Sequence, residues 1–471
     1  MQSHFQAISH YLPTEARHWL GLAVLALLYF LAGVIGLTVQ TAYNGITPIW
    51  PASGIAFAAL FLFGVRLWPA IILAMLGLAL FAGIPFYVAL AAGIGSVLEA
   101  VVPVLILRQK QFNGNLNRLN NVLLFVAFAV FLGPVFSATA GVSAFTIHQS
   151  LEPDATLWLW AFWWLGNSIG VLMVGSAILI WKAAPVGKTP NKTIGKKALL
   201  VLTVIASFTS MAINTYPLST LILFFMFPLI VFAATHYSMR WVSILYLSAL
   251  LTFILAGALL FPDKFNVVEI DGIYLNLAFL VVFTFLGLFA SAAHSEQLDN
   301  RILEYQATTD SLTGMNNRRA FLEQLNTTVH NLRRSDDRHS LLYIDLDGLK
   351  AVNDSAGHAT GDLVLQASTR IIRRIIRHQD IAGRLGGDEF AILLRNCDSD
   401  DAMSIAEKIR RVVSEHSTTA KNKQYSVTTS IGIIDIDPSH HDIPGLLEAA
   451  DEACYVSKRA GGNQITLADA G

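Results

Sequence analysis

The stretch Arg384-Leu385-Gly386-Gly387-Asp388-Glu389-Phe390 sets two carboxylates beside two glycines, between short apolar runs. A second acid pair, Asp345 and Asp347, ends the apolar run Ser340–Asp347. Carboxylates gathered at one edge of a sheet bind Mg²⁺, an ion that usually takes substrate phosphates as further ligands. Two such ions stabilise both the attacking and the leaving oxygen of a phosphoryl displacement. The glycine pair reads as a hairpin turn, since glycine accepts positive φ, and as a place where a ligand can approach the backbone. Taken singly, Gly-Gly-Asp is most often a turn and Asp-x-Asp a solvated strand end. Their combination is what points to chemistry.

Alternating elements must position these acids. Ser340–Asp347 is predicted as a strand, Asp362–Arg377 as a helix, and the runs before and after Gly386-Gly387 as two strands around a turn. Ala402–Val413 reads as a helix, Tyr425–Ile434 as an alternating strand and Ile443–Arg459 as a helix. Adjacent strand pairs among helices give an α+β pattern.

This ordinary charged region begins near His294. Before it the chain is mostly apolar, which is why 54% of the 471 residues are hydrophobic and only 14% charged. The formal net charge of −1 gives no support for nucleic-acid binding. The only cysteines, Cys397 and Cys454, read as packing residues in a reducing compartment.

A membrane helix needs roughly 20 apolar residues. By that criterion about ten spans lie between Trp19 and Ala293, those near Ile49–Gly64 and Leu67–Ala82 being short. Trp19–Val39 lacks a small-residue cleavage site and reads as a retained span. Basic residues at Arg17, Arg66, Arg108, Lys182–Lys197 and Arg240 alternate with loops near Asn44, Gly83, Glu152, Tyr216 and Pro262–Gly272. Basic loops face the cytoplasm, so both termini are expected there. Glu99 lies inside an apolar run, where an ionisable group is costly. It reads equally as a functional group and as a carboxyl satisfied by a neighbouring helix. Trp158, Trp160, Trp163 and Trp164 read as an interfacial aromatic belt.

Two proline- and glycine-bearing stretches, Ile49–Ala58 and Gly64–Ala70, carry a resemblance. They look like the first class of MASE domains, integral-membrane sensors ahead of bacterial signalling enzymes. Trp163–Val174 is similar to a later stretch of that family, in which an acid is frequent where this chain has Asn167. The resemblance covers most of residues 15–293 and implies signal input without naming the signal. Residues 294–307 then read as a linker, with Leu298, Ile302 and Tyr305 at helical spacing. A short helix continuing from the last span and a plain amphipathic linker stay open.

The soluble half resembles the GGDEF family of diguanylate cyclases, over residues 308–467. The matching stretches are Arg384–Phe390, Thr308–Phe321, Tyr343–Asp354 and Gly357–Leu365, in the family's order. The resemblance implies a multi-domain chain: an all-α polytopic membrane domain, then an α+β ferredoxin-like nucleotidyl-cyclase domain. It also implies condensation of two GTP into cyclic di-GMP with release of two pyrophosphates, by a homodimer in the bacterial cytoplasmic (inner) membrane. Mg²⁺ is the implied cofactor, two ions per half-site, with Mn²⁺ as an alternative.

By the same resemblance Asp345, the carbonyl of Leu346, Asp388 and Glu389 would bind the metals, and Asp388 would act as base for the ribose 3′-hydroxyl. Asn353 and Asp362 would hydrogen-bond the guanine edge. Lys350 and Lys458 would meet phosphates, and Gly386 and Gly387 would form the turn under the nucleotide. Arg377 and Asp380 match the family's inhibitory product site, with Lys408 at a secondary position. Gly462 stands where the family often has arginine, which shifts phosphate binding toward Lys458. Two rival readings are a catalytically silent cyclic di-GMP receptor and a transporter with a regulatory domain. The latter lacks an inverted repeat or paired intramembrane charges.

Overall fold

A computed structural model of the chain describes residues 14–37, 47, 49–183, 193–212, 222, 224–260, 270–332, 338–420, 422–436 and 443–468. Contacts divide it into two compact units, Met1–Leu298 and Asp299–Gly471. The loops expected at Asn44 and Tyr216, and most of Pro262–Gly272, lie outside the described residues.

The first unit is helical. Among the described residues six helices are long and apolar enough to cross a membrane: Glu15–Leu37, Val65–Ala82, Phe86–Gln109, Leu119–Gln149, Pro153–Lys182 and Leu277–Thr308. Pro51–Phe63, Met226–His236 and Met239–Leu255 are apolar but shorter. Proline starts the helix Pro51–Phe63, where a missing N–H costs nothing. The Trp50 N–H donates to Gly166 O at 3.1 Å instead. Here two helix backbones nearly touch. A Cβ on Gly54 would lie 2.2 Å from Gly170 O, and one on Gly170 would lie 2.0 Å from Trp50 O.

The tryptophan cluster also joins helices. Trp158 is 62% exposed, as a belt residue should be. Trp160, Trp163 and Trp164 donate their indole N–H groups to Thr139 Oγ1, Ser137 Oγ and Phe131 O. An indole N–H is a donor only, and the neighbouring helix supplies three acceptors.

The second unit is built on a six-stranded sheet. Its strands are β1 (Asn316–Asn317), β2 (His339–Asp347), β3 (Ile381–Arg384), β4 (Glu389–Leu394), β7 (Thr428–Ile436) and β8 (Ile465–Leu467). A separate hairpin pairs β5 (Thr418–Ala420) with β6 (Lys423–Tyr425). The order is β1-β3-β4-β2-β7-β8. The inner four, β3-β4-β2-β7, are antiparallel neighbours in the ferredoxin-like arrangement.

Alternation along the strands gives the sheet two cores. Leu342, Ile344, Leu346 and Phe390 pack on one face with residues of the helices His358–Ile375 and Ser399–Glu415. Leu341, Tyr343, Ala391 and Leu393 pack on the other with residues of Arg318–Leu332 and Ile443–Arg459. The cysteines sit in these cores, and burial pushes the Cys397 thiol up to about 11 and that of Cys454 to about 12. The single helix expected over Asp362–Arg377 begins earlier, at His358. A second helix, Leu349–Ala356, precedes it across Gly357 at φ +89°.

One side chain fixes the hairpin between β3 and β4. Arg384 donates from Nε to Gly386 O at 3.1 Å and from Nη2 to Gly387 O at 2.7 Å. Its Nη1 reaches Asp310 Oδ1 at 3.1 Å. Asp310 also accepts from Thr313 N at 2.9 Å and Thr313 Oγ1 at 2.6 Å. Burial works to raise the Asp310 carboxyl. The Thr313 hydrogen bonds and Arg384 outweigh it, so the group is held below its ordinary value.

Removing the guanidinium should therefore loosen the hairpin. Hydrogen bonds to charged groups contribute roughly 1.5–3 kcal/mol, so Arg384→Ala should speed amide exchange of Leu385 and Gly386 by about tenfold or more in the full chain. The unfolded chain binds the Asp310 proton more readily than the folded one. The ion pair's contribution is thus complete above the ordinary carboxylate range and fades as pH falls through the lowered value. The gap between wild type and variant should shrink on acidification, and a gap independent of pH would contradict this.

Candidate active site

Strand register brings the acids to one place. Asp345 on β2 stands opposite Glu389 on β4. One residue on, the Leu346 N–H donates to the Asp388 carbonyl at 3.1 Å. Lys458, from the helix Ile443–Arg459, meets Asp345 Oδ2 at 2.8 Å. The other oxygen of Asp345, Oδ1, is buried and has no hydrogen-bond partner.

Charge at this edge is one-sided. Burial holds the Asp345 carboxyl above its ordinary value, with Asp388 and Asp347 adding to the effect and Lys458 opposing it. Burial works against the Lys458 ammonium, but Asp345, Asp388 and Asp347 together hold it raised. Lysine is thus the local counter-ion to three carboxylates.

Asp347 is committed elsewhere, unlike its partner in the Asp-x-Asp pair. It accepts from Thr428 Oγ1 at 3.0 Å, Ser430 Oγ at 2.9 Å and Asn463 N at 3.0 Å. These bonds pin the end of β2 to β7 and to the turn before β8. Gly462 lies in that turn at φ +74°, with its Cβ position 3.2 Å from the Asp347 carboxylate. Both facts favour glycine at a position where the resembling family often has arginine.

The Gly386-Gly387 turn corrects one expectation. Neither glycine adopts positive φ among the described residues. What Gly386 supplies is room, because a Cβ there would lie 2.4 Å from Glu389 Oε2. A Cβ on Gly387 would meet nothing within 4 Å, so that backbone is open to a ligand.

The fit to a divalent cation can be judged from the donors. No group of three His, Cys, Asp or Glu side chains stands ready to hold a metal among the described residues. The edge does carry an orphaned buried carboxylate oxygen, a second acid acting on it and a lysine ammonium in the place of balancing charge. Hard oxygen donors of this kind suit Mg²⁺.

The other candidates lie on the helices that follow β2. Asn353 lies in the middle of the helix Leu349–Ala356, and Asp362 lies one turn into the helix His358–Ile375, where it is exposed. Gly361 leaves room for the Asn353 side chain, since its Cβ position lies 1.9 Å from Asn353 Oδ1. Lys350 is exposed one turn before Asn353.

Arg377 and Asp380 belong to a separate cleft of about 760 Å³. Asp380 spends both oxygens on backbone, accepting from Arg377 N at 2.7 Å and Arg395 N at 3.2 Å. Arg373 and Arg395 also line this cleft. Lys408 does not; it is exposed on the helix Ser399–Glu415.

The sequence reading missed Arg384, Asp310, Gly361, Arg373 and Arg395. Arg384 and Asp310 lie inside quoted motifs, but nothing in their spacing shows that they touch. Gly361 sits in the quoted stretch Gly357–Leu365 without a side chain to draw notice.

Both halves of the chain match known families. Residues 307–464 match the family described as "Diguanylate cyclase, GGDEF domain". A probable diguanylate cyclase, DgcE of Escherichia coli strain K12, is 39% identical over 167 residues, 36% of this chain and 15% of the relative. Diguanylate cyclase A of Treponema denticola is 36% identical over 173 residues, 36% of this chain and 47% of the relative. The chain therefore spans less than half of either relative. Among solved structures, the coiled coil and GGDEF domain of DgcB from Caulobacter crescentus in complex with c-di-GMP is 31% identical, with a TM-score of 0.36, covering 38% of this chain and 95% of that one. Residues 19–298, more than half of the chain, match MASE1. The chain belongs to the MASE1 family, and it carries a GGDEF domain after its membrane-type helical unit.

Proposed function

We propose that this protein is a multi-pass membrane diguanylate cyclase, condensing two GTP into cyclic di-GMP with release of two pyrophosphates. The observation that carries this reading is the buried, unpartnered Asp345 Oδ1 at the strand end beside Asp388 and the open Gly387 backbone. The matched family and the names of the relatives support it.

Asn353 and Asp362 would grip the guanine edge, offering an amide and a carboxylate to its acceptor and donors. Lys458 would exchange Asp345 for a substrate phosphate, and Lys350 would approach the same phosphates from the following helix. Asp388 would take the proton of the 3′-hydroxyl as that oxygen attacks the α-phosphate of the GTP opposite, displacing pyrophosphate. Mg²⁺, held by Asp345, the Leu346 carbonyl, Asp388 and Glu389, would neutralise charge on the phosphates. Attack across two GTP molecules requires two domains face to face, so the active form is a homodimer. Both termini lie in the cytoplasm, where GTP is, and the bilayer is the bacterial inner membrane. The MASE1 unit would take the input signal, through a ligand or a membrane partner.

Arg377 is suited to a second role. It lines a cleft with two further arginines, and guanidinium groups fork onto phosphates and onto a guanine Hoogsteen edge. Product bound there would restrain the enzyme. Asp380 would act by holding the Arg377 backbone.

Three outcomes test these roles in purified full-length protein with GTP and Mg²⁺. Asp388→Ala should abolish cyclic di-GMP formation, and unchanged turnover would sink the mechanism. Gly361→Ala should push the Asn353 amide aside and raise KM for GTP on the order of tenfold, with a smaller change in kcat; an unchanged KM would remove Asn353 from guanine recognition. Arg377→Ala should leave the initial rate near wild type and lift the slowing that follows product accumulation. Wild-type protein that binds cyclic di-GMP through Arg377 but turns over no GTP would replace the enzyme with a receptor.

A further inference from the structure

The MASE1 unit holds a partly open cavity of about 120 Å³ between the helices Phe86–Gln109, Gly133–Gln149 and Pro153–Gly170 and their neighbours. Most of its wall is apolar, from residues such as Met75, Leu78, Val88, Ala92 and Leu159. Among the described residues no lining side chain is charged. Its polar groups include Ser96, Ser137 and Asn167, all buried.

That polar pole is held in one orientation. Asn167 Nδ2 donates to Glu99 Oε2 at 3.0 Å and to Ser137 Oγ at 3.0 Å. Trp163 Nε1 donates to the same Ser137 Oγ at 3.2 Å. Glu99 is 2% exposed and does not line the cavity, so it acts on the wall through Asn167. With the amide hydrogens spent, the carbonyl Oδ1 of Asn167 is left as an acceptor without a donor among the described residues. Glu99 Oε1 and Ser53 Oγ are likewise buried without partners.

Along the apolar part of the wall water gains no partner. A buried water needs two to four polar partners, whereas an apolar cavity of roughly 150 Å³ stays dry and takes benzene. A mainly apolar wall with one free carbonyl acceptor at Asn167 matches an occupant with an apolar body and one donor. We propose that this cavity is a binding site for a small neutral molecule, about the size of phenol, with an apolar body and a single hydroxyl or N–H donor that Asn167 receives. Glu99 is a positioning residue in this account: it fixes which face of the Asn167 amide looks inward.

Binding can be read by equilibrium dialysis of radiolabelled phenol and toluene against the full chain in nanodiscs, with empty nanodiscs subtracted. This readout is independent of GTP turnover, so its failure and that of the cyclase reading are distinguishable. Wild-type protein should bind phenol saturably. Asn167→Leu should weaken phenol about tenfold, the effect of one hydrogen bond, while toluene is unchanged or tighter. Ala92→Phe, which fills the cavity, should abolish both. Should Asn167→Leu not fold, Ser137→Ala must shift the phenol-to-toluene ratio in the same direction. The proposal is overturned by absence of saturable phenol binding to wild type, by parallel loss of phenol and toluene in the pole variants, or by a co-purified lipid that phenol does not displace.

Discussion

Arg384 spends its guanidinium on two turn carbonyls and one carboxylate, and the geometry of the acid edge follows from that. A planar fork with fixed donor directions can hold a turn as a lysine cannot. Asp310, tied to Thr313, gives the fork an anchor outside the hairpin. With the turn fixed, Asp388 is presented at the start of β4 and its carbonyl receives Leu346 N–H. Asp345 is then left with one oxygen on Lys458 and one with nothing. An orphaned buried acceptor costs free energy unless something arrives to use it. That cost is what makes the edge a site and not merely a strand end.

Much of this was legible in the sequence. The alternation in Ser340–Asp347 and the apolar spacing of Ile443–Arg459 each name their element, because burial on one face imposes a period. The GGDEF stretch named the turn and its acids. What it could not give was the division of labour between Asp345 and Asp347. Both look alike in a two-residue repeat, and only the neighbouring β7 and the turn at Asn463 decide that one is spent on structure. The Gly-Gly turn shows the same limit. Its composition suggested left-handed backbone, while the actual demand is space beside the Glu389 carboxylate.

In the helical unit, hydropathy marks apolar segments but not what their polar residues do. Glu99 was open between two readings. The fold gives it Asn167 on another helix as a donor, across 68 positions in sequence. The tryptophans follow the same logic: a side chain typical of the interface becomes an interhelix donor where a serine or carbonyl is in reach. In an apolar surrounding each polar group must be satisfied by its own chain or by a ligand, so the few that are not become informative.

The acid edge is proposed to perform phosphoryl displacement between two GTP molecules. The most direct test is stoichiometry, measuring pyrophosphate and cyclic di-GMP together from the purified full-length protein with GTP and Mg²⁺. The account predicts two pyrophosphates for each cyclic di-GMP, with no guanosine diphosphate formed. Release of inorganic phosphate and guanosine diphosphate, or no consumption of GTP at all, would contradict it.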